Sequence, residues 1–252
     1  LRRCISEGFE GFELYFQPIY NTDDDSLSGA EALIRWNSRK YGFIGPNTFI
    51  PLLEDSALII PLGRWIINTA AKACNRWITS IPDFVMHINL SFVQIVKSNI
   101  IKDVLENIER YSAANNHYVF EITETIEMDQ IPAVQNVFKE FAKNEFRFAI
   151  DDFGTGYSNY GYMRDRTFDI VKVDRSFVTD IDKLKDNYLM VSFIIKMAHE
   201  MGLHVCIEGV ETKEELSCVK RLGADYIQGY YYGKPVCLQD FEEQHLKRFV
   251  LG

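Results

Sequence analysis

The chain has little with which to hold a soft metal or a disulfide framework. Its five cysteines, Cys4, Cys74, Cys206, Cys218 and Cys237, are odd in number and scattered, without Cys-x-x-Cys or Cys/His ligand spacing. That usage excludes a zinc ribbon and points to free thiols in a reducing compartment, so the cytoplasm is the expected location. Also missing is any uncharged apolar run of about 18 residues, the length a membrane-crossing helix needs. The opening Leu1-Arg2-Arg3-Cys4-Ile5-Ser6-Glu7 has no signal-peptide core. Positive charge is in deficit: 27 Lys and Arg stand against 36 Asp and Glu, a net charge of −9. Such a chain repels polymeric nucleic acid, whose binding needs clustered Lys and Arg to release counterions. A small phosphorylated ligand stays open if metal ions supply the positive charge. With no internal repeat, low-complexity tract or long linker, residues 1–252 read as one domain. The start on Leu1 is compatible with excision of that domain from a longer protein, membrane-attached or not.

What is present is 47% hydrophobic residues arranged as apolar strand-like runs alternating with amphipathic stretches at βα spacing. That pattern favours a mostly parallel sheet. The first run, Glu13 to Tyr20, reaches the next, Leu27 to Glu31, through a link too short for a crossover helix, so this pair is expected to be antiparallel. Helical periodicity predicts a short helix from Asn47 to Glu54 and longer ones over Leu62 to Ile78, Val93 to Tyr111, Pro132 to Lys143, Tyr188 to Met201, Lys213 to Leu222 and Asp240 to Arg248. Gly202 and Gly223 sit just past two of these ends, as helix C-caps do.

A polar residue recurs at the exits of the apolar runs. Asp151 and Asp152 follow Arg147-Phe148-Ala149-Ile150 and enter a glycine-bearing loop; Glu31, Asn89, Glu121, Lys172, Glu208 and Gln228 end other runs. Two adjacent carboxylates at the end of a buried strand repel and lose hydration unless a cation lies between them. One polar side chain per strand exit is the pattern of a (β/α) barrel at its C-terminal rim. The fold expected is α/β: a TIM-like (β/α)8 barrel with an antiparallel first strand pair. Closed, it brings Glu31, Asn89, Glu121, Asp151 and Asp152 together as hard oxygen ligands suited to Mg²⁺ or Mn²⁺.

Glu31-Ala32-Leu33, followed by Ile34-Arg35-Trp36, resembles the signature of EAL-domain cyclic di-GMP phosphodiesterases. The resemblance runs from about Phe12 to about Pro235 and includes Gln17-Pro18-Ile19, Asn89-Leu90-Ser91, Glu121-Ile122-Thr123-Glu124, Asp151 to Gly156, Lys172-Val173-Asp174, Glu208 to Glu211 and Gln228-Gly229-Tyr230. It implies hydrolysis of one phosphodiester of cyclic di-GMP to linear pGpG, by in-line water attack assisted by two divalent ions, Mg²⁺ or Mn²⁺. Carried over residue by residue, Glu31, Asn89, Glu121 and Asp151 hold one ion, and Asp151 bridges to a second that Asp152 also binds. Lys172 orients the water, Glu208 is the general base, and Gln228 anchors the water or a metal-bound neighbour. Gln17, Leu33, Arg35, Asp174 and Glu211 contact substrate, with Arg35 suited to a bidentate grip on phosphate. Glu124 steadies the loop from Phe153 to Tyr162, which the family links to a dimer interface. A homodimer and an N-terminal regulatory or GGDEF domain in the full-length protein are the implied partners. The alternative is a catalytically weak or silent cyclic di-GMP receptor.

Asn159-Tyr160-Gly161-Tyr162-Met163 and Arg164-Asp165-Arg166-Thr167 depart from the family's more apolar loop, which bears on dimer geometry and regulation. The five histidines, His87, His117, His199, His204 and His245, form no ligand pattern and read as structural or surface groups. Tyr230-Tyr231-Tyr232 reads as packing, and Asp23-Asp24-Asp25 as a solvated turn.

Overall fold

The computed structural model describes residues 1–124, 132–155 and 168–247. Among them are strands β1 (Phe12–Asn21), β2 (Leu27–Ser38), β3 (Gly42–Ile44), β4 (Val85–Asn89), β5 (Tyr118–Thr123), β6 (Arg147–Phe153), β7 (Ile170–Val173), β8 (His204–Glu208), β9 (Tyr226–Gln228) and β10 (Val236–Cys237). The sheet order β1-β9-β8-β7-β6-β5-β4-β2 closes through a β1–β2 pairing into an eight-stranded barrel. From β2 through β4 to β9 neighbours are parallel, whereas β1 runs antiparallel to both β2 and β9. The antiparallel first pair follows from its short link, as expected.

The end of β2 differs from the sequence reading. Glu31 does not end its strand: β2 continues to Ser38 because β1 pairs with it along its length, from Phe12 opposite Trp36 to Tyr20 opposite Leu27. The pairing of β2 with β4 stops at Ala32 opposite Ile88, so Glu31 stands at the barrel rim while β1 and β2 rise beyond it as a ribbon. The short strands β3 and β10 pair with that ribbon, at Trp36 opposite Ile44 and Tyr15 opposite Cys237.

Helices cover the barrel outside: Ile59–Trp77, Pro132–Lys143, Lys185–Glu200 and Lys213–Leu222 match the expected segments to within a few residues. The stretch Val93 to Tyr111 is instead two helices, Phe92–Lys97 and Ile100–Ile108, because Ser98 is extended and Asn99 caps a new start by accepting from the Lys102 amide. The last expected helix is α over Leu238–Phe241 and π over Glu242–Leu246; Arg248 lies outside the described residues. Gly202 and Gly223 adopt φ of +79° and +84°, the left-handed conformation of C-caps.

The core has two parts. Between barrel and helices lies a large cluster rich in aromatics, where Trp77 stacks on Phe241 and meets Phe16 and Phe84 edge-on. Inside the barrel, a small plug of Ile19, Val119, Ala149, Ile170 and Cys206 fills the lower level. Because side chains alternate along a strand, residues two positions further face the same interior. Those positions are Glu121, Asp151, Lys172 and Glu208, so the plug forms the floor of a polar layer.

Closure leaves no room at Gly29, where an added Cβ would lie 2.2 Å from the Val85 carbonyl oxygen. A backbone atom cannot rotate away, so the strands β2 and β4 must separate. Gly29→Ala is expected to destabilise the domain by about 1–3 kcal/mol or more, lowering the thermal midpoint followed by circular dichroism by several degrees; an unchanged midpoint would contradict this packing.

Candidate active site

The polar layer is built around one buried ammonium group. Lys172 on β7 has no solvent exposure, since its neighbours Val171 and Val173 turn outward into the core and leave it pointing into the barrel. Its Nζ lies 2.7 Å from Glu121 Oε2, 2.7 Å from Glu208 Oε1, and 3.3 Å from both Glu31 Oε2 and Asp151 Oδ1. Asn89 Nδ2 donates to Glu31 Oε1 at 2.6 Å, and Gln228 Nε2 donates to Glu31 Oε2 at 2.7 Å and to Gln17 Oε1 at 3.2 Å. Seven side chains expected from the sequence, Glu31, Asn89, Glu121, Asp151, Lys172, Glu208 and Gln228, therefore converge at one mouth.

Asp152 joins them through a local irregularity. Ile150 pairs with Val171 and Phe153 with Val173, so three steps of β6 match two of β7. The extra residue is a bulge, and Asp152 adopts φ of +55°, which Asp tolerates better than bulkier residues. Without it, strand alternation would send Asp152 away from Asp151. Instead one oxygen each from Asp151, Asp152 and Glu208 lie within 4.8 Å of one another. Beyond the bulge, Glu124 Oε2 accepts from the Gly154 amide at 2.8 Å; residues 156–167, with the atypical Asn159 to Thr167 segment, lie outside the described residues.

One cation among four carboxylates leaves negative charge in excess. Burial raises the proton affinity of Glu31, but Lys172, Gln228 and Asn89 outweigh it and hold its pKa down at about 2. Burial, only partly opposed by Lys172, pushes Glu208 up to about 8. Burial and the Glu31 charge push Glu121 well up, and burial and Asp151 raise Asp152. For Lys172 the four carboxylates overcome the burial cost and keep the amine charged. Asp151 Oδ1 is buried, and its one cationic neighbour among the described residues is the Lys172 ammonium 3.3 Å away, without a well-formed hydrogen bond. An all-oxygen donor set, a buried carboxylate oxygen lacking a well-formed hydrogen bond and excess negative charge fit hard divalent ions such as Mg²⁺ or Mn²⁺.

Alternation extends the polar face up the ribbon. Leu33, Arg35 and Asn37 follow Glu31 at two-residue steps, opposite Tyr15, Glu13 and Gly11 or beside them, and Gln17 pairs directly with Glu31. Gln17, Leu33 and Arg35 thus share a face with the carboxylates. The Arg35 guanidinium sits 5.6 Å from the Tyr15 ring centre, and its Nη1 donates to the Ile34 carbonyl. It borders a pocket of about 320 Å³ with Tyr15, Phe43, Tyr230 and Lys234. Asp174 and Glu211 have other engagements: Asp174 Oδ1 accepts from the Ser176 amide, and Glu211 pairs with Arg175 at 2.9 Å.

Some side chains read as bland have more specific places. Tyr232 packs as expected, stacked on Tyr20 at 4.3 Å, but Tyr230 and Tyr231 are exposed and Tyr230 lines the pocket. Asp25 is no free turn residue, since Lys220 and the Tyr232 hydroxyl both bind it. His87 is buried with Nδ1 2.7 Å from Glu121 Oε1; burial and the nearby Lys172 charge lower its pKa to about 3. Its position two residues before Asn89 was the available signal, because that spacing faces the same interior.

The EAL domain family model matches residues 1–235. The chain is 32% identical, over 95% of its length and 47% of the relative's, to the probable cyclic di-GMP phosphodiesterase PdeG of Escherichia coli strain K12. It superposes on the cAMP- and cyclic-di-GMP-bound form of the EAL enzyme Bd1971 with a TM-score of 0.88 at 34% identity, covering 96% of this chain and 68% of that one. The PaMucR phosphodiesterase in complex with c-di-GMP gives a TM-score of 0.88 at 29% identity, covering 95% and 97%. The chain spans between 28% and 47% of the length of the first curated relatives it matches.

The charge imbalance makes stability depend on pH in the absence of divalent ions. Glu208, raised from 4.5 to about 8, favours the folded state fully below pH 4.5 and loses that contribution as pH rises toward 8. Glu31, lowered to about 2, contributes above pH 4.5 and loses it as pH falls toward 2. In excess chelator, stability should fall between pH 4.5 and 8 more steeply in the parent than in Glu208→Gln, by at most about 1.4 kcal/mol per pH unit. Parallel curves from thermal unfolding across that range would contradict the assignment.

Proposed function

The chain belongs to the EAL domain family, and from that premise we propose that it hydrolyses cyclic di-GMP to linear pGpG with the help of two divalent ions, Mg²⁺ or Mn²⁺. The observation that supports this most is the excess of carboxylate over ammonium at one mouth, with Asp151, Asp152 and Glu208 close enough to share an ion. A receptor that only held the ligand would have no use for such concentrated negative charge facing a phosphodiester.

Glu31, Asn89, Glu121 and Asp151 would hold one ion, and Asp151 with Asp152 the other; Glu208 lies within reach of the second. Bound there, such ions lower the proton affinity of water and offset the charge on the phosphate oxygens. Lys172 keeps its positive charge at the centre, restrains the oxygens of four carboxylates, and faces the negative charge that develops during attack. Glu208 Oε1 is engaged by that ammonium, so its Oε2 is the atom to accept the proton of the attacking water. Gln228 holds Glu31 and Gln17 in register through one amide.

Arg35, oriented by the Tyr15 ring and the Ile34 carbonyl, keeps Nε and Nη2 for a phosphate. Gln17 and Leu33 line the path from Arg35 to the carboxylates. Asp174 and Glu211 stand at the ends of β7 and β8 and complete the substrate face, Glu211 after exchanging its Arg175 partner. The domain works in the cytoplasm as a homodimer, within a longer protein that carries a regulatory or GGDEF domain. No helix among the described residues is long and apolar enough to cross a membrane.

Purified protein with cyclic di-GMP and Mg²⁺ or Mn²⁺ should yield pGpG on chromatographic separation. Glu31→Ala and Asp151→Asn should each slow turnover by about 100-fold or more, beyond what outer-shell changes cost at metal sites. Tight binding that persists in EDTA without product would replace the enzyme by a receptor.

A further inference from the structure

The interior beneath the polar layer is apolar wherever β5 to β8 supply it: Val119, Ala149, Ile170 and Cys206 occupy the position two residues before Glu121, Asp151, Lys172 and Glu208. On β4 that position holds His87, 4% exposed. An imidazole in this floor loses its hydration and must recover a strong hydrogen bond. It does so upward, with Nδ1 2.7 Å from Glu121 Oε1, while Lys172 Nζ meets Glu121 Oε2 at the same distance. Glu121 is itself fully buried, so its carboxylate is fixed at both ends.

The two contacts are not equivalent. Lys172 is shared among four carboxylates and can redistribute when an ion arrives. Among the described residues His87 hydrogen-bonds Glu121 alone, from the floor of the polar layer. Oε1 is thereby held from the floor, and Oε2, held only by the shared Lys172 ammonium, is the oxygen of Glu121 left for an ion. A carboxylate limited to one oxygen suits small ions that demand octahedral geometry, whereas Ca²⁺ takes more oxygens and often chelates a carboxylate through both.

We infer that His87 is a positioning residue that restricts Glu121 to one-oxygen ligation and so biases the site toward Mg²⁺ or Mn²⁺ over Ca²⁺. This rests on the reading of Glu121 as a metal ligand. The bond needs only a proton on Nδ1, which one tautomer of the neutral ring carries. An imidazole in a purely packing role would affect stability but leave the preference among ions where it was. Outer-shell partners of this kind orient ligands at other metal sites and typically contribute 10- to 100-fold in affinity.

The test is ion titration by calorimetry on metal-stripped protein, with Mn²⁺, Mg²⁺ and Ca²⁺ separately, folding being checked by circular dichroism. His87→Leu keeps bulk but removes the donor, and is expected to weaken Mn²⁺ about 10- to 100-fold while Ca²⁺ weakens less, shifting the ratio of their dissociation constants toward Ca²⁺ by about tenfold. His87→Asn, whose Nδ2 replaces Nδ1, should restore most of the parent ratio. A folded His87→Leu with the parent's affinities and ratio would overturn the inference. Should His87→Leu fail to fold, His87→Gln, which displaces the donor by one bond, decides instead: a parent-like ratio overturns the inference and a shift toward Ca²⁺ supports it. A parent protein that binds none of the three ions would overturn the metal reading and this inference together, a result distinct from unaltered selectivity in a parent that binds.

Discussion

A single ammonium ion, buried without any contact with water, is the constraint on which the rest of this structure turns. Lys172 can stay charged there only because Glu31, Glu121, Asp151 and Glu208 reach it from four other strands. Those carboxylates in turn stay close only because the ammonium lies among them. Removing either side exposes the other to an uncompensated charge in a medium of low polarisability, where such a charge costs several kcal/mol (about 3–5). Barrel closure and site assembly are therefore one requirement: any opening of β1 from β2 or β9 would admit water and dissolve the array.

Charge of this kind adds little to net stability, since the desolvation of each partner offsets much of the attraction. Stability comes from elsewhere, from the aromatic cluster between barrel and helices and from the apolar plug of Ile19, Val119, Ala149, Ile170 and Cys206. The barrel interior is divided by level: a dry floor gives rigidity, and one step higher the same strands deliver oxygen atoms. A period-2 backbone makes that division possible with two residues per strand. His87 crosses the division, a polar group in the floor that secures a ligand in the layer above. The bulge at Asp152 departs from the period and adds a second carboxylate from one strand.

The surface around the mouth shows the same economy of construction. β1 and β2 carry on past the rim as a ribbon, so that alternation alone lines up Glu31, Leu33 and Arg35 with Gln17 and Tyr15. Arg35 acquires its orientation from an aromatic face and a backbone carbonyl, which leaves its outer edge uncommitted. A carboxylate partner would have neutralised it. Cation and pocket together thus continue the mouth in the direction of the ribbon.

Much of this was legible in residue order. Apolar runs ending in a polar side chain marked the eight barrel strands and the residues that face inward, because alternation is a local property of extended backbone, while the short strands β3 and β10 carried no such signal. The short link after Tyr20 determined that β1 and β2 run antiparallel, and the ordered motifs determined the family. Tertiary structure alone decided how far strands run and who meets whom. β2 lengthens past Glu31 because its partner β1 lies alongside; the helix expected over Val93 to Tyr111 breaks where Asn99 offers a better cap; and Asp152 turns inward through a mismatch between β6 and β7. Which carboxylates share Lys172, and that His87 spends its Nδ1 on Glu121, depend on closure between residues 21 to 141 positions apart. Local propensity carries no information about such distances, since only the closed barrel brings those side chains within hydrogen-bonding range.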